Sequence, residues 1–156
     1  MWECQVSVDI DVPVEAVYRR LLDFERHADF SEGLTEVRQT TAGPIGVGSR
    51  FCAEERVPGH YRSWSEITRL EEPRLIAWKA WVEGVMRTEW EFRLSPAERG
   101  TRLVQVSRWQ PAGPVGFIML NLHRKRNAPR ENARTLARVK EVLEAERAAR
   151  TREVPA

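Results

Sequence analysis

The sequence is poor in cysteine and contains no long hydrophobic run. Its two cysteines, Cys4 and Cys52, are too few for a disulfide framework and lack metal-binding spacing, which favours a reducing compartment, although two cysteines could also pair. The longest apolar stretch, PVGFIMLNL, is about half of what spans a bilayer. No signal peptide is recognisable. We therefore expect a soluble, cytoplasmic protein with no integral membrane segment.

Charge of either sign is not in excess. The 25 basic and 23 acidic residues leave a net charge of +2, which argues against a nucleic-acid partner. The three histidines, His27, His60 and His123, form no metal constellation, and no phosphate loop or catalytic triad stands out. We expect no metal and no cofactor. The 156 residues fit one domain over residues 1–150, followed by a flexible charged tail over residues 151–156.

The order of the predicted elements is the most informative positive feature. Residues 2–10 alternate as a strand, "DVPVEAVYRRLLDFERHADF" is helical with Pro13 opening the first helix, and residues 34–109 have the pattern of hairpin-linked strands. "PRENARTLARVKEVLEAERAAR" is a long helix. One antiparallel sheet must then curl around the last helix to bury both apolar faces. Such a sheet leaves space beside the helix, so we expect a cavity.

The start of the last helix depends on Pro129, which removes a backbone donor inside a helix. We expect Asn127 to cap the helix with Pro129 in its first turn. Residues 114–127 are then either a separate short helix or a lid-like loop. Apolar spacing places Asn132, Leu136, Val139 and Leu143 on the face towards the sheet.

The hairpin "PRLIAWKAWVEGVMRTEWEFRL" identifies the inward face of the sheet. In its second strand Met86, Thr88, Trp90, Phe92 and Leu94 alternate with charged residues. A three-residue loop, Val82-Glu83-Gly84, gives a wholly apolar inward face in the first strand, with Trp78 opposite Thr88 and Ile76 opposite Trp90. A two-residue turn at Glu83-Gly84 would instead place Lys79 and Trp81 inside. We predict the three-residue loop because it gives the first strand a wholly apolar inward face.

Polar residues accompany the inward apolar ones in other strands. Phe51, Ala53 and Val57 face inward and carry Glu55 with them. In "TRLVQVSRW" both faces are plausible, and if Leu103 and Trp109 face the helix, Gln105 and Ser107 lie inside the cavity too. Buried polar groups need partners, which water or a ligand can supply in a cavity. Large aromatics with scattered polar groups are typical of a ligand pocket.

The sequence resembles the START-like, Bet v 1-like superfamily, in its polyketide cyclase and lipid-transport group. The resemblance rests on "VDIDVPVEAVYRRLLDFERHADF", "GVGSRF", "ITRLEEPRLIAW" and "WEFRLSPAERGTRLVQV". It implies an α+β helix-grip fold: a curved antiparallel sheet of about seven strands around a long C-terminal helix, with two short helices between the first and second strands. The end of the chain is similar to single-domain bacterial aromatic polyketide aromatase/cyclases, which are thought to close a poly-β-ketone using a Tyr, an Arg and aromatic walls.

The resemblance also places this chain's candidate site residues. The family's aromatic positions after the first helix fall at His27 and Phe30, its Tyr falls near Gly33, and its Arg falls at Ile67, with Arg69 two residues along on the same face. Trp78 and Trp90 match the wall aromatics, and Gln105 or Ser107 matches the polar wall groups. Since the family's Tyr and Arg have no counterpart, the catalytic candidates are His27 at the cavity mouth, Arg69, and Glu55 in reserve.

The sequence thus predicts a cavity protein for a hydrophobic, polyketide-like molecule, with cofactor-free cyclisation or dehydration as the favoured chemistry and an acyl carrier protein as a candidate partner. The alternatives are a non-catalytic carrier of a lipid, quinone or pigment, and a chaperone-partner domain, which would need no aromatic cavity. The expected ligand-binding residues are Phe30, Phe51, Tyr61, Ser65, Ile67, Trp78, Met86, Trp90, Gln105, Ser107, Asn132 and Leu136.

Overall fold

A computed structural model describes residues 1–56 and 59–153 and shows the predicted order of elements. The elements are β1 (Trp2–Ile10), α1 (Val14–Leu22), a 3₁₀ helix (Phe24–Asp29), β2 (Leu34–Gln39), β3 (Arg50–Glu55), β4 (Tyr61–Glu71), β5 (Leu75–Val82), β6 (Met86–Ala97), β7 (Gly100–Pro111), α2 (Pro114–Met119), a π-helical turn (Leu120–Arg124) and α3 (Lys125–Glu153). The α+β helix-grip prediction is confirmed, including the two short helices after β1. The predicted inward residue Val57 lies outside the described residues.

The seven strands form one antiparallel sheet in the order β1-β7-β6-β5-β4-β3-β2. Strands that follow one another from β2 to β7 pair as antiparallel neighbours, and the last strand, β7, also pairs with the first, β1. The sheet encloses α3, which is held to the end of β1 by polar contacts. Glu144 Oε2 accepts from the Asp11 N–H at 3.1 Å, and Lys140 Nζ donates to the Asp9 carbonyl at 3.0 Å. These contacts fix the distal half of α3 against the sheet.

Strand alternation places one continuous apolar core between the sheet and the helices. Ile10, Phe51, Ile76 and Leu103 from the sheet are at most 1% exposed, as are Val139 and Leu136 from α3. Pro13 precedes α1, and its carbonyl accepts from the N–H groups of Ala16 and Val17 at 3.0 and 3.1 Å. The predicted helix start at Pro13 and the predicted inward stripe of α3 are therefore correct.

The predicted hairpin register is wrong by two residues, although the faces are right. Val82 pairs with Met86, so the three-residue loop is Glu83-Gly84-Val85, with Gly84 at φ 70°. Trp78 therefore lies opposite Trp90, and Lys79 lies opposite Glu89 rather than Arg87. Stacking the two indoles, and removing the like-charged Arg87 from the position opposite Lys79, favour this register over the predicted one, while the Lys79 ammonium pairs with Glu66 of β4 at 2.8 Å. An even shift leaves every side chain on its predicted face.

The predicted cap at Asn127 is wrong because the helix does not start there. α2, the π-helical turn and α3 follow without a break, and Pro129 lies inside α3. The Lys125 N–H bonds to the Leu120 carbonyl, five residues back, so the turn before Pro129 is wider than an α-helical one. Leu120 and Ala128 are buried in one apolar cluster with Trp109. Packing on the sheet thus keeps the segment helical despite Pro129.

The far end of the chain extends the helix beyond the predicted domain limit. α3 continues to Glu153, so residues 151–153 of the expected tail are helical, and residues 154–156 lie outside the described part. Among the described residues, no helix combines the length and apolar character needed to cross a membrane.

Candidate functional site

Three tryptophans from adjacent strands form a wall on the inner face of the sheet. The Trp78 and Trp90 rings are parallel within 9° at a centroid distance of 6.1 Å, and Trp109 meets Trp90 edge-on at 5.5 Å. β5, β6 and β7 supply one ring each, at the cross-strand positions Trp78 opposite Trp90 and Trp90 opposite Ser107. The predicted placement of Trp78 and Trp90 on the inner face is therefore what the structure shows.

On one side of this wall, rings fill the space between the sheet and the helices. We call this the packed end and define it by Phe24, His27, Phe30, Phe51 and Phe92, all of which are buried. Phe24 stacks on Phe51 at 4.9 Å and on His27 at 4.4 Å. Rings at these distances leave no room for a ligand. Phe30 and Phe51, predicted to bind ligand, are core residues here.

His27 is not at a cavity mouth, as the sequence had suggested. It is 9% exposed, and its Nε2 donates to the Leu21 carbonyl at 2.6 Å. Burial lowers the pKa of His27 to about 4, which outweighs the opposing effect of the Leu21 hydrogen bond. The imidazole is therefore neutral near pH 7 and satisfied by the backbone. Its neighbours give it a structural role in the packed end.

Arg69 lies on the outer face of the sheet, contrary to the prediction. Its side chain is 65% exposed and forms an ion pair with Glu71 at 2.6 Å. The cause is a β-bulge between Ile67 and Arg69: Ile67 pairs with Trp78, whereas Arg69 already pairs with Ala77. The extra residue, Thr68, reverses the alternation, so Arg69 and Ile67 no longer share a face. Arg69 is excluded from the interior.

At other positions of the inner face, side chains remain partly accessible. We call this the open end and define it by Glu55, Tyr61, Ser63, Ser65 and Trp90, which are all half-buried. They alternate with outward residues on β3, β4 and β6, and Glu55 lies opposite Tyr61 in the ladder. Their exposure contrasts with that of Phe51, which is 0% exposed. These five side chains are therefore the inward-facing groups that a ligand could reach with the least rearrangement.

Glu55 and Tyr61 are the titratable groups of the open end. Burial raises the pKa of the Glu55 carboxyl, and a hydrogen bond with Ser63 and the Arg124 charge oppose the rise without cancelling it. Burial and the nearby Glu55 charge raise the pKa of Tyr61 to about 12. Tyr61 is therefore a neutral phenol over the physiological range, next to a carboxyl that exchanges protons nearer neutrality than an ordinary glutamate.

Arg124 is the functional candidate that the sequence reasoning missed. It lies in "HRKR", which has the composition of an exposed basic segment, yet it is 9% exposed. Its guanidinium lies over the Trp109 ring at 5.0 Å and pairs with Glu131 at 2.5 Å. Among the described residues no group accepts from its buried Nε. A recognisable signal was the four-residue spacing of Gly116, Leu120, Arg124, Ala128 and Asn132, all buried.

A hydrogen-bond network joins β7 to α3 below the tryptophan wall. The Ser107 hydroxyl accepts from Trp109 Nε1 at 3.0 Å and from Asn132 Nδ2 at 3.3 Å, and donates to the Cys4 carbonyl at 3.5 Å. These bonds take up the capacity of a hydroxyl, so Ser107 positions Trp109 and Asn132. They also show that the set containing Gln105 and Ser107 is the inward face of β7.

Gln105 retains an unused polar atom inside the molecule. The residue is 4% exposed, and within the described chain nothing donates to its Oε1. Because an unsatisfied buried acceptor is costly, this oxygen needs a partner that a water molecule or a ligand O–H or N–H could supply. The remaining predicted ligand contacts fall outside the open end: Ile67 and Leu136 belong to the main core, and Met86 belongs to the cluster around Trp109.

A separate cleft of about 680 Å³ lies at the outer face and edge of the sheet, where its lining includes Lys79, Trp81, Arg87 and Arg108. It contains none of the residues predicted to bind a ligand. Across residues 1–56 and 59–153 there is also no cluster of three or more His, Cys, Asp or Glu side chains that could hold a metal ion.

Comparison with known families gives the fold and the site a context. Residues 1–144 match the family described as polyketide cyclase / dehydrase and lipid transport. The chain belongs to this family. No curated protein shows significant sequence similarity to it. Because the family description covers both catalysis and transport, the chemistry of this member must be argued from its own residues.

Solved structures agree on the fold. TTHA0849 from Thermus thermophilus superposes with a TM-score of 0.73 at 17% identity, covering 93% of this chain and 99% of the other. One half of the di-domain ARO/CYC StfQ from the steffimycin biosynthetic pathway gives 0.73 at 13% identity, covering 94% of this chain and 51% of the other. The structure of Ara h 8.0201 gives 0.66 at 10% identity, covering 92% and 98%. At these identities the likeness concerns the fold alone.

Proposed function

We propose that this member of the family catalyses cofactor-free cyclisation or dehydration of a hydrophobic, polyketide-like molecule at the open end. The observation that carries the proposal is Glu55, a half-buried carboxyl with a raised pKa, placed opposite Tyr61 in the ladder and within electrostatic reach of Arg124. A proton acceptor, a neutral donor and a cation at the end of an aromatic wall are the groups that carbonyl condensation requires.

In the proposed reaction Glu55 removes a proton from the carbon between two carbonyl groups of the substrate. The charge moves to the adjacent oxygen, where the Arg124 guanidinium and the Tyr61 hydroxyl stabilise it. The carbon then bonds to a second carbonyl carbon, and the resulting alkoxide takes the proton back from Glu55. In a dehydration, Glu55 removes a further α-proton and returns it to the departing hydroxyl group, which leaves as water.

Arg124 suits the anion because its buried Nε has no acceptor within the described chain. A guanidinium stays charged at any physiological pH, so it can stabilise an enolate without a proton transfer of its own. The Trp78–Trp90 stack offers a flat apolar surface to a forming aromatic ring. Enclosing a flexible chain in one reactive conformer supplies a further part of the rate.

The structural neighbours support polyketide chemistry as the substrate class, since StfQ and BexL are ARO/CYC proteins of the steffimycin and BE-7585A pathways. A thioester bond to a carrier protein holds one end of such a reactive chain and can deliver it to the site in one orientation. An acyl carrier protein is accordingly the proposed delivery partner, and the cytoplasm the proposed location.

The decisive experiment supplies a linear poly-β-ketone from a reconstituted minimal polyketide synthase and measures the cyclised or dehydrated product by mass spectrometry. We expect Glu55→Gln to reduce turnover by at least about 100-fold, because a positioned base contributes that much or more. Glu54→Gln is the matched control: Glu54 is the neighbouring residue, and it pairs with Arg62 at 2.7 Å on the other face of the strand. Full turnover in a folded Glu55→Gln variant would refute the assignment.

A non-catalytic carrier is the second candidate, and one observation favours it. The positions that match the family's Tyr and Arg are Gly33 and Ile67, and Ile67 is a core residue at 1% exposure. A carrier needs the aromatic wall but no acid or base. Saturable quenching of tryptophan fluorescence by a hydroxyanthraquinone, without turnover of any poly-β-ketone, would favour the carrier over the enzyme.

A further inference from the structure

The outer side of α2 and the following π-helical turn exposes an unusual amount of apolar surface. Val115 is 63% exposed, Phe117 61%, Ile118 56% and Leu122 72%. These are four of the seven exposed large hydrophobic residues in the described chain; the other three, Met1, Val47 and Trp64, are distant in sequence. A concentration of this kind in eight consecutive residues marks an interaction surface.

The inner side of this segment already packs on the sheet, so the exposed apolar side chains cannot be buried by turning the segment over. Gly116 packs so closely on the turn between β5 and β6 that a Cβ there would overlap the Val85 carbonyl. The same carbonyl accepts from the Ala112 N–H at 2.9 Å. Leu120 is 4% exposed in the cluster with Trp109. The exposed side chains therefore point away from a fixed base.

Cationic residues follow the apolar ones along the same helical segment. Lys125 and Arg126 come one turn after Leu122, and Arg130 follows one turn later, all exposed. Lys125 Nζ donates only to the Asn121 side chain, at 2.9 Å, and neither arginine forms an ion pair with a described residue. The sequence has no acidic residue between Glu98 and Glu131. These three cations therefore have no ion-pair partner among the described residues, and the segment itself is positively charged.

We propose that this surface, formed by Val115, Phe117, Ile118, Leu122, Lys125, Arg126 and Arg130, docks the protein on an anionic lipid bilayer. Apolar side chains would enter the headgroup region while the cations meet lipid phosphates, which is how interfacial amphipathic helices bind. Val115, Ile118 and Leu122 share one side of the helix, whereas Phe117 projects from another. A groove on a protein binds one narrow apolar stripe of a helix, whereas a fluid lipid bilayer can accommodate apolar side chains that project in several directions.

Docking would place the open end beside the bilayer. The segment that exposes Lys125 and Arg126 also carries Arg124, which points inward over Trp109. A hydrophobic molecule that leaves or enters the bilayer would then come within one helical turn of Arg124. The docking proposal does not depend on whether the interior is catalytic.

The test is co-sedimentation with vesicles of phosphatidylcholine alone or with phosphatidylglycerol added, at low and high salt. We expect binding only when phosphatidylglycerol is present, and weaker binding at high salt. Ile118→Ser combined with Leu122→Ser should reduce the affinity by at least about tenfold, since two inserted side chains are lost. Lys125→Glu combined with Arg126→Glu should reduce it at least as much.

Two matched controls separate the surface from general charge and hydrophobicity. Arg150→Glu combined with Arg152→Glu makes the same charge change at the far end of α3, and Val47→Ser removes an apolar side chain that is 65% exposed elsewhere. Both controls should bind vesicles like the unaltered protein. Circular dichroism checks that each variant is folded.

Several outcomes would overturn the proposal. Absence of vesicle binding would do so, as would equal loss in the control variants or equal binding to vesicles of phosphatidylcholine alone. If Ile118→Ser with Leu122→Ser instead abolishes a dimer in sedimentation velocity and vesicles are not bound, the surface is a contact between two copies of the chain. Binding of an acidic carrier protein without vesicle binding would assign the surface to that partner.

Discussion

The packed end and the open end of the interior differ in what a buried titratable group is used for. At the packed end, His27 lies among Phe24, Phe30 and Phe92, and among the described residues the hydrogen-bond partner of its ring is the Leu21 carbonyl. At the open end, Glu55 lies among a serine, a tyrosine and an arginine charge. Burial drives both groups towards their neutral forms. Only the open end surrounds its group with side chains that could act on a ligand.

The strongest contrast should appear in stability. Phe51→Ala removes a ring that is 0% exposed at the packed end, so we expect a loss of about 3–5 kcal/mol in the free energy of unfolding. Trp90→Ala at the open end should cost less than half as much, because Trp90 is only partly buried. Urea denaturation at pH 7 measures both. Equal losses would mean that the two ends are packed alike.

The second contrast concerns acid. Because the folded pKa of His27 is about 4 and the unfolded value is 6.5, the unfolded chain binds more protons between these values, and stability falls as the pH falls through this window. The full shift corresponds to about 3 kcal/mol. Denaturation curves at several pH values should show that His27→Gln loses this component.

His60→Gln is the matched control for that experiment, since His60 is exposed. Glu66, Glu91 and Glu144, whose pKa values are lowered in the folded state, also cost stability in acid, but they do so equally in both variants. The difference between the two variants therefore isolates His27. A His27→Gln variant with unchanged acid sensitivity would contradict the buried, neutral imidazole.

Ligand binding should distinguish the faces of the sheet. Trp90→Ala should weaken the binding of a hydroxyanthraquinone by about 1–3 kcal/mol if its ring stacks on the ligand. Trp64 is the matched control because it lies on the outer face of β4, opposite Trp81, with 38% exposure. Titration calorimetry should show Trp64→Ala unchanged. The reverse ranking would place the ligand on the outer cleft.

The smallest expected effect is the contribution of Glu55 to stability, which changes with pH in the opposite direction to that of His27. Since burial raises the pKa of Glu55, the folded state holds this proton longer than the unfolded chain, and stability is lost as the pH rises from about 4.5 through the folded pKa. Glu55→Gln should remove this loss, whereas Glu54→Gln should keep it. If Glu55→Gln lost at least as much stability between pH 4 and pH 8 as Glu54→Gln does, ionisation of Glu55 would not be costly in the folded state.

Faces of strands were predictable from the sequence because side-chain alternation is a local property. The inner positions of Trp78, Trp90 and Glu55 follow from it directly, even where the pairing of β5 with β6 was off by two. Register depends on contacts between strands, such as the stack of Trp78 on Trp90, which no single strand contains. Burial of His27 also escaped prediction, because it depends on rings contributed by other elements.

The two positional errors share a physical origin. Arg69 was assigned to the interior and Arg124 was not recognised as an interior residue, and each error follows one local departure from a regular repeat: a β-bulge before Arg69 and a wider helical turn ending at Arg124. Such irregularities are stabilised by packing over the whole fold, so residue type alone did not reveal them. The tryptophans of the interior were therefore predicted from the sequence, whereas Arg124, whose charge acts on Glu55, was missed.

The bulge at Thr68 has a consequence for how this chain tolerates changes in length. In a regular strand, the residue two positions after Ile67 would lie opposite Ile76 and face the core. Because of the bulge, Leu70 occupies that place and packs against the core, whereas Arg69 does not. Loss of the Thr68 codon would leave a regular strand with both faces unchanged. Loss of any codon in the middle of β5, which has no surplus residue, would turn half of that strand inside out. Family members that differ in length by one residue at this position should therefore share the same interior.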